Sequence, residues 1–324
     1  MTYSDDLAPL AWPGFQADGG LLLPVPSSSG WKSGPDVLEG EEMPLARKAE
    51  LHVTLLNRAM GSELRSALGD ITIARFFEEE DWTIRRTGDG YLLRKIKIDG
   101  ARSTVCESLI ERLDLPALAR FRLALGRATG ARIPEVLPHI TLYVAGDAAG
   151  IGLPDMASFE TARMADLRLP GVSNRTPPSL PSTLLDAYKA TDFMVDDPAI
   201  RLRVGQPSAR MDAELRAQGA ARAIVVTAWN AFSEDTDLRA NALRQHMLRH
   251  ALESDGQIVR NAEGRDPAGV WPPEPSLLVM ETDPTLDDRL LRDYEQHAIV
   301  VIEQGEPVRL ALHPHHRISS AVQA

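Results

Sequence analysis

One short pattern occurs twice in the chain, as LHVTLL around His52 and as PHITLY around His139. Both copies read apolar or Pro, His, β-branched, Thr, Leu, apolar, and the two histidines lie 87 positions apart. Side chains alternate between the two faces of a β-strand, so His52 shares a face with Thr54, and His139 likewise with Thr141. The pattern therefore predicts two strands, each with an apolar back and a His-x-Thr front.

Two such strands side by side would form one cleft with two imidazoles and two hydroxyls. Imidazole exchanges a proton near neutral pH, so a pair can act as base and acid in one turnover. Threonine hydroxyls can hold the non-bridging oxygens of a phosphate while negative charge develops. A single His-x-Thr is more often structural, but two copies in one apolar frame favour a shared site. We predict that His52 and His139 are catalytic. We also predict that Thr54 and Thr141 bind substrate, and that no metal or cofactor takes part.

The composition narrows the range of partners. A formal net charge of −11 argues against broad binding to duplex DNA, because that affinity comes mainly from basic side chains that displace counterions. A small nucleotide or an RNA end in a local basic cleft remains compatible with this charge. The single cysteine, Cys106, excludes an intramolecular disulfide. The acidic start MTYSDDLAPL and the lack of an apolar run of about 20 residues predict a cytoplasmic protein without a membrane span. The sequence does not indicate an oligomeric state.

The order of strand and helix signals divides the chain into segments. We predict a flexible N-terminus over residues 1–17, a first domain over 18–170, a Pro/Ser-rich linker over 171–185, a second domain over 186–313 and a tail over 314–324. In the first domain, DLPALARFRLALGRATG predicts a helix with a proline in its first turn and a glycine at its end. In the second domain, apolar runs such as RAIVVTAWN and SLLVMET alternate with amphipathic helices, which predicts an α/β domain.

The duplicated motif resembles the signature of the two-histidine (2H) phosphoesterases, the superfamily of LigT-like RNA ligases and cyclic phosphodiesterases. The resemblance extends over residues 18–170, where GLLLPVP is similar to the first strand of bacterial members and LPHITLYVAGDAAGIGL to the second motif region. It implies an α+β fold with antiparallel sheets in two pseudo-symmetric lobes around the cleft. It also implies that His52 and His139 are the acid–base pair; which one is the base depends on the direction of reaction.

The resemblance further implies an enzyme of defined chemistry. This is a metal-independent phosphoesterase that acts on a cyclic phosphate or phosphodiester of an RNA end or nucleotide, of the 2′,3′-cyclic phosphate type. Tyr143 and Arg102 are predicted to contact the substrate, and Tyr91 and Arg94 are further candidates for selecting it. Two alternatives stay open: a noncatalytic RNA- or nucleotide-binding protein, and a phosphodiesterase that degrades a cyclic oligonucleotide signal.

The second domain resembles a bacterial domain of unknown function through segments such as VVTAWNAFS, PPEPSLLV and YEQHAIVV, and this resemblance implies no activity. Its polar residues cluster where predicted strands begin or end, beside an aromatic side chain. Such clusters are typical of a small-ligand pocket, here for a nucleotide or an RNA end, although capping of loops within the fold explains them equally well. The residues predicted to line this pocket are Thr227, Trp229, Asn230, Glu274 and Gln296.

Overall fold

A computed structural model describes residues 10–25, 31, 34–39, 43–172 and 175–317. Contacts divide these residues into two compact units. The first lies within Met1–Lys32 and Glu42–Asp166, and the second lies within Ser33–Glu41 and Leu167–Ala324. Nothing in the local sequence pattern indicates that the described residues 34–39 group with the second unit. Within the described ranges, no helix is both long enough and apolar enough to cross a membrane.

The first unit is an α+β fold with antiparallel sheets, as predicted for its class. Its strands are β1 (Leu21–Pro24), β3 (Leu45–Arg47), β4 (His52–Leu56), β5 (Arg85–Asp99), β6 (Arg102–Asp114), β7 (His139–Ala145) and most of β8 (Arg163–Arg168), whose last two residues are counted with the second unit. β2 (Val37–Leu38) also groups with the second unit. β1 pairs with β4 in a two-stranded sheet, and β3, β7, β6, β5 and β8 are neighbours in that order within a six-stranded one. The pairing of β1 with β4 confirms that GLLLPVP contains a strand.

The described part of this unit has four helices: α1 (Arg58–Leu68), α2 (Asp70–Glu78), α3 (Pro116–Thr129) and α4 (Met156–Ala162). α3 is the helix predicted from its sequence. Pro116 occupies its first turn, where a missing N–H has no consequence, and Gly130 ends it with a φ of 70° that suits glycine. Leu118, Phe121 and Leu125 form its buried face.

An aromatic cluster fills the core between α2 and α3. Phe77 stacks on Trp82 with ring centroids 4.5 Å apart, and Phe121 meets Trp82 edge-on at 5.5 Å. Trp12 also contacts Phe77, with centroids 5.3 Å apart. This contact corrects the predicted flexible N-terminus: residues 1–9 lie outside the described part of the chain, but residues 10–17 contribute an aromatic side chain to the core.

The second unit contains a seven-stranded sheet in the order β10-β9-β12-β13-β11-β14-β15. Its strands are β9 (Asp192–Val195), β10 (Ile200–Leu202), β11 (Arg222–Val226), β12 (Val259–Arg265), β13 (Glu274–Met280), β14 (Ala298–Glu303) and β15 (Arg309–Leu312). Its helices are α5 (Ser182–Ala190), α6 (Ala209–Gln218), α7 (Leu238–Ser254) and α8 (Pro284–Asp293). Two apolar cores flank the sheet, one that includes Met211 and Leu215 of α6, and another that includes Leu248 of α7 and Leu291 of α8.

The helices α7 and α8 connect strands that are not neighbours. α7 leads from β11 to β12 although β13 lies between them, and α8 leads from β13 to β14 although β11 lies between them. This is the βαββαβ order of split βαβ units, as in ferredoxin-like folds. Every pairing described in this sheet is antiparallel. The predicted α/β domain is therefore an α+β unit: helices and strands do alternate, but each helical crossover skips one strand.

The predicted linker and tail are partly built into the second unit. α5 begins at Ser182, inside the predicted linker, and Gly171 N donates to Asp293 O at 3.3 Å. Residues 173–174 of the linker and residues 318–324 of the tail lie outside the described residues. The first residues of the tail form a short helical turn, and His316 is buried with its Nε2 2.9 Å from Nδ1 of His297. The tail thus begins later than predicted, because a buried histidine pair anchors it.

Candidate functional site

The strand that holds His52 alternates as the sequence predicts. Val53 and Leu55 are buried in the core, whereas His52 and Thr54 are each partly exposed. β1 pairs with the strand along its length, with Pro24 opposite His52. The apolar back is therefore fixed in the core, and this fixes which way the His-x-Thr front faces.

The strand that holds His139 alternates in the same way. Ile140 is fully buried, whereas His139 and Thr141 are partly exposed. Nδ1 of His139 lies 2.8 Å from the backbone oxygen of Leu137, so it carries the hydrogen of the neutral ring and donates it to this carbonyl. The other ring nitrogen, Nε2, is then the acceptor. In this tautomer the imidazole is ready to take up a proton at Nε2.

The two histidines lie close enough to influence each other's charge. β4 and β7 lie beside each other without hydrogen-bonded pairing. Burial lowers the pKa of His139 below its usual range, the hydrogen bond to the backbone of Leu137 opposes this, and charge on His52 lowers the pKa further. Burial also lowers the pKa of His52; Lys48 adds to this shift and Glu50 opposes it. The pair therefore disfavours two simultaneous positive charges.

The two threonines of the motif have hydroxyls available for a ligand. Among the described residues, no hydrogen-bond partner is found for the hydroxyl of Thr54 or of Thr141. By contrast, the hydroxyls of Thr129 and Thr161 donate to backbone carbonyls within their own helices, at 2.9 Å and 2.8 Å. A hydroxyl both donates and accepts, so the motif threonines can donate to an incoming anion without breaking an internal bond.

A cation that was not predicted lies on the same face as His139. Arg112 of β6 is the register partner of His139, and side chains of directly paired residues project from the same face. Its guanidinium is half exposed and lies 3.6 Å from the carboxylate of Asp89. Tyr91 and Thr141 are both paired with Ile110, so Tyr91 shares this face too. Strand alternation alone could not identify Arg112. The register between β6 and β7 decides which residue of β6 lies opposite His139.

Two of the predicted substrate contacts do not join this face. A register shift lies between Leu109 and Ile110, with Tyr143 opposite the first and Thr141 opposite the second. Adjacent strand residues face opposite ways, so Tyr143 projects from the back of the sheet, where it is only 5% exposed. Arg102 begins β6 beside the hairpin turn, ten positions before Arg112. At about 3.3 Å per residue, it lies roughly 30 Å along the strand from the partner of His139.

The chain turns back sharply after β7 and approaches the motif. Gly146 has a φ of 76°, and a Cβ there would lie 2.1 Å from Val105 O, so only glycine fits. Gly150 then approaches Thr141, since a Cβ on this glycine would lie 3.5 Å from Cγ2 of the threonine and 3.3 Å from Oγ of Ser108. This loop borders the front of β7 with small residues and backbone.

A buried arginine connects the two motif regions. Nη1 of Arg122 donates to Leu55 O in the strand of His52 at 2.6 Å, and Nη2 donates to Pro134 O in the segment before β7 at 2.9 Å. The arginine is 6% exposed, and burial lowers its pKa to about 10. The sequence places Arg122 on α3 among other arginines, and nothing in that cluster indicates this role.

A cavity of about 290 Å³ lies in the second unit, at the edge of the sheet where β11 ends and β13 and β14 begin. The three strands are antiparallel neighbours, so the end of β11 meets the starts of the other two. α5 contributes a further wall. The structure thus brings together all five residues that the sequence assigns to a pocket: Thr227, Trp229, Asn230, Glu274 and Gln296.

A buried amide network shapes one wall of this cavity. Asn230 exchanges hydrogen bonds with Asn241, donating its N–H at 2.9 Å and accepting at Oδ1 from Nδ2 at 2.8 Å. Nδ2 of Asn230 donates to Oε1 of Glu274 at 3.0 Å. Asn230, Phe232 and Ser233 all have positive φ, between 46° and 58°. Side chains other than glycine rarely adopt this region, and such strain persists where the surroundings enforce it, often at functional sites.

Comparisons with known proteins concern this second region alone. Residues 226–299 match the model of a family described as "Protein of unknown function (DUF3293)". The match covers less than a quarter of the 324 residues, and it includes the five predicted pocket residues but neither His52 nor His139. No curated protein and no solved structure matches the chain. Part of the second unit is therefore similar to a family whose description states no function.

Proposed function

We propose that the first unit is a metal-independent 2H-type phosphoesterase that opens a cyclic phosphate, or cleaves a phosphodiester, on an RNA end or nucleotide in the cytoplasm. One observation carries the proposal. His52 and His139 come from separate strands, β4 and β7, that lie beside each other, and charge on the first lowers the pKa of the second. An acid–base pair needs this closeness. We include in this proposal that the first unit has the two-lobed arrangement of the 2H fold.

The proposed reaction requires one proton on the pair. One imidazole removes a proton from water as its oxygen attacks phosphorus, and the other, protonated, donates to the leaving ribose oxygen as the P–O bond breaks. A phosphomonoester results, and the two rings end with exchanged protonation. Because each charge disfavours the other, the singly protonated pair is favoured over the doubly protonated one. The roles exchange in the reverse direction, so each histidine serves as base in one of them.

The surroundings of the pair suit an anionic substrate. The hydroxyls of Thr54 and Thr141 would donate to the non-bridging oxygens, and Arg112 and Lys48 supply positive charge on the His139 and His52 sides. These cations act locally, which is compatible with an overall charge of −11. Short-range contacts of this kind suit a nucleotide or an RNA end better than an extended duplex.

The decisive experiment is a substrate panel on the full chain with and without EDTA. The substrates are 2′,3′-cyclic nucleotides, ADP-ribose cyclic phosphate, RNA with a cyclic-phosphate end and cyclic dinucleotides. We expect turnover of a cyclic phosphate that is unaffected by EDTA. We expect it to fall by about 100-fold or more in His52→Ala and in His139→Ala, the usual scale of a lost acid or base. His250→Ala, a half-exposed histidine of the second unit, is the control and should keep full activity.

The same panel separates the proposal from its rivals. Binding without turnover of any substrate would indicate a noncatalytic nucleotide-binding protein, and turnover confined to cyclic dinucleotides would indicate a signal-degrading enzyme. Full activity in either alanine variant would exclude the two-histidine mechanism. Thr54→Val and Thr141→Val should raise KM or lower kcat, whereas Thr129→Val, whose hydroxyl is bonded within its own helix, should do neither.

A further inference from the structure

We propose that the cavity of the second unit binds a small organic cation with an apolar body, such as a protonated primary amine or a quaternary ammonium ion. This site is independent of the phosphoesterase proposal, because every residue that lines it belongs to the second unit. A volume of about 290 Å³ is close to the lower limit of roughly 300–1,000 Å³ for small-molecule sites, so the ligand is compact.

The cavity wall carries one negative charge that has no described counter-ion. Glu274 is the one charged side chain among the described residues that line the cavity, and no ion pair is found for it within that part of the chain. Its Oε1 accepts from Asn230 at 3.0 Å, which leaves Oε2 without a described partner. Glu274 is partly exposed, and a carboxylate that is partly removed from water is stabilised by an opposite charge. Burial accordingly raises the pKa of Glu274, and a cationic ligand would oppose that shift.

Aromatic side chains form much of the cavity wall. Trp229, Trp271 and Tyr188 line the cavity together with Phe193 and aliphatic side chains. Trp271 is 38% exposed, which places it at the rim. The Tyr188 hydroxyl lies 2.8 Å from Oγ of Ser233. Aromatic faces attract cations through their quadrupoles, most strongly for tryptophan, and they also cover an apolar ligand body.

Two polar groups of the cavity wall keep acceptor oxygens that no described residue uses. Gln296 donates both bonds of its Nε2, to Trp229 O at 3.0 Å and to Tyr294 O at 3.2 Å, so its amide presents an oxygen acceptor. Together with Oε2 of Glu274, this supplies acceptors for ligand N–H groups. No lysine, arginine or histidine lines the cavity within the described part of the chain. The cavity therefore suits a cation, held by hydrogen bonds if it is a primary ammonium and by charge and aromatic faces if it is a quaternary one, and its described lining offers a phosphate no cationic donor.

The acidic wall is also preorganised. Asn241 is fully buried and holds Asn230 through reciprocal hydrogen bonds, and Asn230 in turn holds Glu274. A side chain that is fixed before the ligand arrives loses little entropy on binding. Asn230 and Ser233, which both have left-handed backbone, both line the cavity.

The test uses matched probes on the full chain, read by titration calorimetry and tryptophan fluorescence. Choline is compared with its neutral isostere 3,3-dimethylbutan-1-ol, and 2-phenylethylamine with 2-phenylethanol. We expect at least one cation to bind and its neutral counterpart to bind about tenfold more weakly or worse. Glu274→Gln should remove this preference, and Trp271→Ala, at the exposed rim, should weaken the cation. Glu306→Gln, an exposed acid of the same unit, is the control and should change neither.

Several outcomes would overturn the inference. They are binding of neither cation, equal binding of a cation and its neutral isostere, and a charge preference that survives in a folded Glu274→Gln variant. Tighter binding of guanosine or AMP than of either cation would show that the cavity recognises a nucleobase or nucleotide instead. If Glu274→Gln fails to fold, the matched probes on the unchanged chain and on Trp271→Ala still decide the question.

Discussion

Replacing Arg122 by methionine tests whether a buried guanidinium ties together the two motif regions. Its hydrogen bonds to Leu55 O and Pro134 O, at 2.6 Å and 2.9 Å, come from a charged donor. Such bonds contribute about 1.5–3 kcal/mol each, so the two contribute about 3–6 kcal/mol. Burial lowers the pKa of Arg122 to about 10, and the hydrogen-bond contributions above are already net of this lost hydration. Because methionine leaves both carbonyls without their donor, Arg122→Met should lower the unfolding free energy by about 3 kcal/mol or more.

The assay is urea unfolding of the full chain, followed by far-UV circular dichroism. Arg127→Met is the matched control, because Arg127 is exposed in the last turn of the same helix. It should stay within about 0.5 kcal/mol of the parent, as most surface substitutions do. Because Arg122 links the strand of His52 to the segment before His139, its loss should also lower turnover beyond the fraction unfolded. Equal stability of Arg122→Met and Arg127→Met would refute the reasoning.

Three further predictions follow from the sites. The pKa values of His52 and His139 are both lowered, and the active pair holds one proton. As the pH rises, the pair should lose this proton, and kcat/KM should therefore fall, at a pH below the usual histidine pKa of about 6.5. Lys48→Met removes a positive charge that disfavours protonated His52, so the pKa of His52 should rise. The fall in kcat/KM should then occur at a higher pH, and an unchanged pH profile would contradict the assignment. His139→Asn keeps a donor for the carbonyl that Nδ1 contacts but lacks Nε2. Turnover should therefore fall about 100-fold while unfolding free energy changes by less than about 1 kcal/mol, and retained turnover would count against Nε2 as the working atom. Asn241→Ala leaves buried groups of Asn230 unpaired and should destabilise the chain by about 3 kcal/mol in urea unfolding; parent-like stability would show that the network contributes little.

The sequence predicts well what depends on local period. Alternation assigns His52 and Thr54 to one face and Val53 and Leu55 to the other, because one side of the strand must be buried. The sequence also shows polar residues where strands begin or end. The pairing of antiparallel neighbours brings these strand ends together at one edge of the sheet. The five pocket residues meet for that reason, although up to 69 positions separate them, from Thr227 to Gln296.

What the sequence does not reveal depends on pairing between strands. Tyr143 follows Thr141 by two positions, so an ideal strand would put both on one face, but the register shift in β6–β7 reverses the tyrosine. Arg102 is in a long hairpin whose turn sits far from the motif, and local composition does not show that distance. The sequence does not indicate Arg112 either, because only the register between β6 and β7 brings it beside His139.

The split βαβ order of the second unit also decides how far the family match can be used. The matched stretch begins at Val226, the last residue of β11, and ends at Ile299, the second residue of β14. It thus omits nearly all of the strand between β13 and β14 in the sheet. A polypeptide limited to 226–299 would have an open edge along β13 and uncovered apolar helix faces, and it would not be independently stable. The matched stretch is not a portable module: transplanting this site into another protein requires at least residues 182–312.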